Sequence, residues 1–292
     1  MATAAEIRST YDAPGTEFYR LWLDRRMAYS CALWGSGDTL ETAQEAKLAF
    51  LHDLARVTPE HRVLDIGCGW GASLEYGARE RGVRRSTGIT LSPAQRREVE
   101  RREIPGVTAA VVDYREFAPE EPFNAVISMG MLEHIATPEQ ARRGQHVEVF
   151  RGYFERAHRW TRPGTWFALQ TILMGRLPRL RRDIEDMAVA TRRVFPGSKC
   201  GRLEDVIRAA GATWEVMEVH TRRDDYVLTA AAWVERLETN EERIREGWGE
   251  EIYRDYLHCM VSTVRAFERG YAYPAQLALR RIDDRWRPGL AH

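Results

Sequence analysis

The sequence has no run long and apolar enough to span a bilayer. Its longest weakly polar stretch, YVLTAAAWV at 226–234, falls well short of the ~18 residues a spanning helix needs. The first residues, MATAAEIRSTYDAPG, carry neither the basic head nor the apolar stretch of a secretory leader. Net charge is missing as well. The 43 basic and 43 acidic side chains cancel, so no global field would hold the chain on nucleic acid or on an anionic membrane. Cysteine is scarce and scattered: Cys31, Cys68, Cys200 and Cys259 show neither the C-x-x-C spacing of a zinc site nor the density of a disulfide scaffold. A reducing, cytoplasmic setting is expected. No repeat of fixed period and no low-complexity linker divides the chain.

What remains is an ordinary globular composition, 292 residues with 44% hydrophobic and 29% charged side chains, which reads as one domain with appendages. Residues 1–60 read as an N-terminal helical lid. Within it Ala43, Ala46, Phe50, Leu51, Leu54 and Val57 recur at helical steps, Asp38 or Thr39 can cap the start, and Pro59 follows the end. The period changes over 61–174, the expected cofactor-binding core. RVLDIG, RRSTGITL, TAAVVDY, NAVISM and TWFALQTI are short, often β-branched runs between helical or charged stretches, the alternation of a doubly wound parallel sheet. Residues 175–292 read as an acceptor-side insertion with C-terminal helices: helices and loops from Gly175 to Gly211, a strand at ATWEVMEVH, and helices from Tyr226 to Tyr273. The fold class expected is therefore α/β, a mostly parallel sheet flanked by helices, with helical additions at both ends.

The most chemistry lies in VLDIGCGWGA at 63–72. An apolar strand ends in Asp65, then Gly67, Gly69 and Gly71 alternate, and a helix-prone segment follows. Glycines at such a turn let the backbone approach a ligand and aim N–H groups at it. The spacing is G-x-G-x-G and not the G-x-G-x-x-G of a pyrophosphate-gripping loop, which tilts the reading toward a nucleoside carrying an amino acid, S-adenosylmethionine. Asp65 would then lie near the sulfonium, whose charge a carboxylate offsets. A ribose-binding acid often stands about 20 residues past the first glycine. GITLSPAQ occupies that place here, leaving Thr90, Gln95 or a backbone group to contact the cofactor.

YSCALW at 29–34, then TLETAQEAK, VLDIGCGWG, GITLSPAQ, SMGMLEH and FPG at 195–197, in that order, resemble the cyclopropane-fatty-acid and mycolic acid synthase family of S-adenosylmethionine methyltransferases. The likeness runs from about Phe18 to Gln276. It implies a Rossmann-like methyltransferase core, N-terminal helices closing over the cofactor, and a tunnel for an apolar acceptor. By the same resemblance Tyr29 and Ser30 meet the cofactor, Leu64 to Ala72 cradle it, Thr90, Leu91 and Gln95 hold its ribose end, and Tyr114 and Arg115 fall at the adenine. Members acting on lipid alkenes hold a bicarbonate through a Cys, a Glu, a His, a Tyr and a second Cys. Cys31, Glu133 and Tyr226 occupy three of those places, while Gln170 stands at the His position and Thr263 at the second Cys. Gln and Thr hydrogen-bond but cannot carry the charge a His can. Bicarbonate retention is thereby in question, and Glu133 becomes the principal base or acceptor-orienting group of a scaffold redirected to a smaller or different acceptor.

The reaction expected is methyl transfer to an alkene carbon of a hydrophobic small molecule or lipid acyl chain, giving S-adenosylhomocysteine and using no metal. His134 follows Glu133, as in related plant N-methyltransferases, so an amine acceptor is the alternative. A catalytically silent S-adenosylmethionine-binding partner protein is the alternative of another class. RREVERRE at 96–103 reads as a solvated face, and Trp160, Trp166, Trp214, Trp233 and Trp286 as core, so no nucleic-acid platform is expected. His52, His146 and His258 form no metal spacing, and Cys31 has no neighbouring His to make it a nucleophile. The oligomeric state, a homodimer included, stays open.

Overall fold

The computed structural model describes residues 11–194 and 197–283. Phe195 and Pro196 of the FPG motif, and Trp286, lie outside them. Before the sheet come α1 (Thr16–Arg20) and α2 (Leu40–Leu54). Next are β1 (Arg62–Ile66), α3 (Ala72–Glu80), β2 (Arg85–Thr90), α4 (Pro93–Arg101), β3 (Val107–Val111) and β4 (Phe123–Met129). A single 3-10 turn, Leu132–His134, leads to α5 (Pro138–Arg142), α6 (His146–Arg159) and β5 (Thr161–Met174). The remainder is α7 (Arg181–Val194), α8 (Leu203–Ala210), β6 (Trp214–Thr221), α9 (Arg223–Thr239), α10 (Glu241–Trp248), α11 (Glu250–Glu268) and β7 (Ala272–Arg281).

The seven strands lie in the order β3-β2-β1-β4-β5-β7-β6. β1 to β5 pair in parallel, and β7 runs antiparallel between β5 and β6. The order reverses between β1 and β4, which opens the crevice where ligands of such sheets collect. Helices are expected as far as Tyr273, but the last one ends at Glu268 and β7 begins at Ala272. A proline inside AYPAQLALRR argues against a central strand. Yet β6 stops at Thr221 opposite Ala275, so Pro274 falls just past that ladder, and its carbonyl accepts the Arg222 N–H at 2.9 Å.

Two large clusters hold most of the buried hydrophobic residues, with smaller ones beside them. One lies between the sheet and α6 and α8, with Phe150, Phe154, Phe167 and Trp214 at its centre. The other is aromatic and joins the N-terminal segment to α9 and α11 through Phe18, Tyr19, Trp22, Trp233 and Tyr256. The segment 29–34 is pinned to α9: Thr229 Oγ1 accepts the Ala32 N–H at 3.1 Å and the Trp34 indole N–H at 2.9 Å, and Asp225 accepts the Trp34 N–H at 2.8 Å. The N-terminal segment therefore shares its core with helices some 200 residues later in the chain.

Local expectations hold in part. Thr39 caps α2 through a reciprocal pair with Thr42, and Ala43, Leu51 and Leu54 are buried, but so are Gln44 and Lys47, while Ala46 and Phe50 are only half-buried. On α4, Arg96 and Glu100 form an exposed pair. Glu98, however, is buried beneath Arg20, Arg101 and Arg102, so that face is not wholly solvated. Trp160, Trp166, Trp214 and Trp233 are core residues. Among the described residues no helix is long and apolar enough to cross a membrane.

Candidate active site

The loop after β1 is held in a conformation that needs glycine. Gly67, Gly69 and Gly71 have φ of +80°, +54° and +85°. A Cβ on Gly67 would stand 2.9 Å from Met131 Cβ, and one on Gly71 would stand 2.7 Å from Val99 Cγ2. One on Gly69 would meet nothing within 4 Å, because that residue faces a cavity.

This cavity is walled by Tyr29, Ser30, Gly67, Gly69, Thr90, Leu91, Gln95, Tyr114 and Arg115. These come from the lid segment, the glycine loop and the ends of β2 and β3. Trp70, within the Leu64 to Ala72 cradle, is also on the wall, as are Tyr11, Met27, Ala28, Asp113 and Met131, which sequence reasoning passed over. Tyr11 meets Trp70 edge to face at 6.0 Å, a contact between residues far apart in the chain. Asp113 is the acid of this cavity, and it pairs with Arg115. Thr90 Oγ1 donates to Gln95 Oε1 at 2.6 Å, which ties these two groups together.

Asp65 and Gly71 are not on the wall. Asp65 sits at the end of β1 between Gly88 and Ile127, fully buried, and neither carboxylate oxygen has a hydrogen-bond partner. Burial raises its pKa to about 7, with Lys47 pulling the other way. The Asp65 carboxyl thus stands behind the glycine loop, beside the cavity wall and not on it. Lys47 is fully buried too, donating to Ser30 Oγ at 3.0 Å, and burial lowers its pKa to about 8. A Cβ-free loop, aromatic faces and hydroxyl and amide groups are what an adenosine bearing a cationic amino acid requires, so the residues present fit S-adenosylmethionine.

A second chamber joins the first through Tyr11, Tyr29, Ser30, Gly130 and His134, which line both. It is the roomier, about 370 Å³ against about 140 Å³. All six acceptor-side residues named from the sequence, Cys31, Glu133, His134, Gln170, Tyr226 and Thr263, lie on its wall. Ile172, Met174, Trp233, Met260 and Phe267 make much of the rest apolar.

Glu133 stands in the 3-10 turn after β4. Ile172 extends past the end of β4, which pairs only as far as Gln170, and its N–H donates to Glu133 Oε1 at 2.5 Å. Glu133 Oε2 is buried with no hydrogen-bond partner. Burial raises the pKa to about 7, against the opposing pull of the Ile172 N–H. His134 Nδ1 pairs with Ser198 Oγ at 2.9 Å, and burial lowers its pKa to about 4, so the ring is neutral. Tyr226 stacks on Phe267 at 4.4 Å and meets Trp233 edge to face at 6.0 Å.

The two positions that depart from the family pattern are spoken for. Gln170 donates its amide to the Cys31 carbonyl at 3.3 Å and accepts from Gln276 at 2.8 Å. Thr263 donates to the Cys259 carbonyl at 2.8 Å. Cys200 and Cys259, unremarkable as isolated residues in sequence, also line this chamber. Burial pushes both thiols up to about 12 and Cys31 higher than its ordinary value, so none is a ready thiolate. Among the described residues no His, Cys, Asp and Glu side chains gather as a metal site.

The mostly parallel sheet, with its glycine loop at the switch point and two communicating cavities, is the fold of S-adenosylmethionine-dependent methyltransferases. More narrowly, residues 1–277 match the family model described as mycolic acid cyclopropane synthetase, and the chain belongs to that family. It is 28% identical over 254 residues to the cyclopropane-fatty-acyl-phospholipid synthase of Escherichia coli K12. That match takes in 87% of this chain but 62% of the Escherichia coli protein, so the chain spans less than two thirds of that relative. It is 28% identical to cyclopropane mycolic acid synthase 2 of Mycobacterium bovis, over 94% of this chain and 93% of that one. The crystal structure of mycolic acid cyclopropane synthase CmaA1 complexed with SAH and CTAB superposes with a TM-score of 0.86 at 25% identity, covering 95% of this chain and 98% of that one.

Proposed function

We propose that this protein transfers a methyl group from S-adenosylmethionine to an alkene carbon of a lipid acyl chain or a comparable hydrophobic small molecule. The observation that carries the reading is the chamber beside the cofactor cavity, apolar over much of its wall and holding one buried carboxyl with an unpartnered oxygen. The CmaA1 complex with the detergent CTAB supports an apolar-chain occupant. When bound, S-adenosylmethionine supplies a methyl carbon activated by the sulfonium.

The chain's own groups do the rest. The wall excludes water and aligns the acceptor. Positive charge that develops on an alkene after it gains a methyl group is met by the faces of Tyr226, Phe267 and Trp233. Glu133 Oε2, with no other partner, takes the proton that leaves. With its pKa at about 7 the carboxylate is in good part available at neutral pH. Gln170 directs its oxygen and one amide N–H, and Thr263 its O–H, to partners within the protein, and neither can carry the charge of a His, so in this reading Glu133 acts without a bicarbonate relay.

An amine acceptor is the second reading, favoured by the neutral His134 at the junction of the two cavities. Purified protein incubated with methyl-labelled cofactor and, in separate tubes, unsaturated phospholipid vesicles, free unsaturated acids and a set of amines decides between them. Label in an acyl chain, with a mass gain of one methylene, is the expected result. Label confined to amines would replace the proposal.

A further inference from the structure

Several of the chamber's polar groups are satisfied from within: Gln170 by Cys31 and Gln276, His134 by Ser198, Thr263 by a helix carbonyl. Two charged side chains on the wall stand apart from that pattern. One is Glu133, assigned above. The other is Lys199, the single Lys or Arg among the described wall residues. Its backbone N–H donates to the Glu133 carbonyl at 2.7 Å, which fixes the lysine beside the catalytic turn. Its ammonium reaches the other way, to the Met174 thioether at 2.8 Å. A thioether is a weak acceptor, and among the described residues no ion pair joins this half-buried cation to a carboxylate. A cation facing an apolar chamber with no counter-charge is costly unless a ligand brings one.

The two charges are also ordered along β5. Ile172 holds Glu133 and Met174 contacts Lys199, two residues apart on one face of the strand, a rise of roughly 7 Å. His134, next to Glu133, borders the cofactor cavity, whereas Met174 leads through Gly175 to the exposed Leu177. We infer that Lys199 is an anion subsite: it receives a carboxylate or phosphate carried by the acceptor at the outer part of the chamber, while the reacting carbon lies inward at Glu133. This rests on the chamber being the acceptor site, and it narrows the acceptor to an anionic one.

The test uses the full chain saturated with S-adenosylhomocysteine, titrated with oleate and with oleyl alcohol below their micelle concentrations. Binding of oleyl alcohol checks the chamber itself; its absence would remove the acceptor reading, and the subsite with it. Given that binding, oleate should bind about tenfold or more tighter than the alcohol, the range of a charge-assisted hydrogen bond. Lys199→Met should erase the difference while leaving oleyl alcohol and S-adenosylhomocysteine binding unchanged, and Lys199→Arg should keep it. Cosedimentation with dioleoylphosphatidylglycerol vesicles but not dioleoylphosphatidylcholine vesicles, lost in Lys199→Met, would assign the anion to a lipid headgroup. Preference for oleate alone would assign it to a free carboxylate. Equal affinity for acid and alcohol together with no vesicle preference, or a preference that survives Lys199→Met, would overturn the inference.

Discussion

Replacing Glu133 by Gln keeps the shape of the side chain and the acceptor that the Ile172 N–H uses, but removes the group able to take a proton. Two effects of opposite sign follow. The folded-state pKa of Glu133 is raised from 4.5 to about 7 by burial, so the native state binds its proton more tightly than the unfolded chain does. That contribution to stability is fully present below pH 4.5 and is lost as pH rises through about 7. A shift of that size corresponds to about 3 kcal/mol. Glu133→Gln does not suffer the loss, so the variant should be the more stable protein at pH 8, by up to about 3 kcal/mol, with the gap closing toward pH 4.5. Activity should move the other way. A positioned general base contributes about 10²–10⁴-fold, so turnover should fall by that order. The residual rate should lose the rise of roughly tenfold between pH 6 and 8 expected of the wild type as a group with pKa about 7 ionises. Cofactor affinity should hold, because Glu133 is not on the cofactor wall. Urea melts at several pH values, calorimetry with S-adenosylhomocysteine and single-turnover methyl transfer measure these quantities. A variant that is less stable at pH 8, or that turns over as fast as wild type, refutes the assignment of Glu133 as a desolvated base.

Gly71→Ala should lower stability by about 1–2 kcal/mol or more from its left-handed backbone alone, with the Val99 contact adding to it. Gly69→Ala carries the same backbone cost without a clash, and because its methyl enters the cavity it should in addition weaken S-adenosylhomocysteine binding; calorimetry showing the same cofactor affinity for the two variants would contradict this geometry. Thr229→Val strips the acceptor from the Ala32 and Trp34 N–H groups and should cost about 2 kcal/mol or more in denaturant melts. An unchanged midpoint would show that the lid is not latched there. Depleting bicarbonate from the assay buffer should leave the rate unchanged, and a several-fold drop restored by added bicarbonate would reinstate the anion relay at Gln170.

The strand that carries the glycine loop, and the wall residues Tyr29, Ser30, Thr90, Leu91, Gln95, Tyr114 and Arg115, were legible in the sequence because each follows from a local signal or from ordered motifs. β1 to β6 were legible for the same reason, since a short apolar, often β-branched run is a property of the segment itself. β7 was hidden because Pro274 is compatible with a central position only where its neighbour strand has already ended, a fact about register and not about composition. Asp65 illustrates the converse: its place at the strand tip is local, but whether its carboxyl meets ligand or interior depends on how the turn folds over it.

The acceptor side divides in the same way. The identities of Cys31, Glu133, Gln170, Tyr226 and Thr263 stood in the motifs, whereas the convergence of Cys200, Cys259, Trp233 and Lys199 on the same chamber did not. These residues come from elements scattered over more than half the chain, and no periodicity within one segment encodes which faces will meet. Sequence alone determined the chemistry available at each position: which backbone turns could form, which side chains could hold a proton or stay apolar. Tertiary structure decided which of those capacities remain in use, because burial and partner geometry consumed the hydrogen bonds of Gln170 and Thr263 and left Glu133 and Lys199 facing the space between.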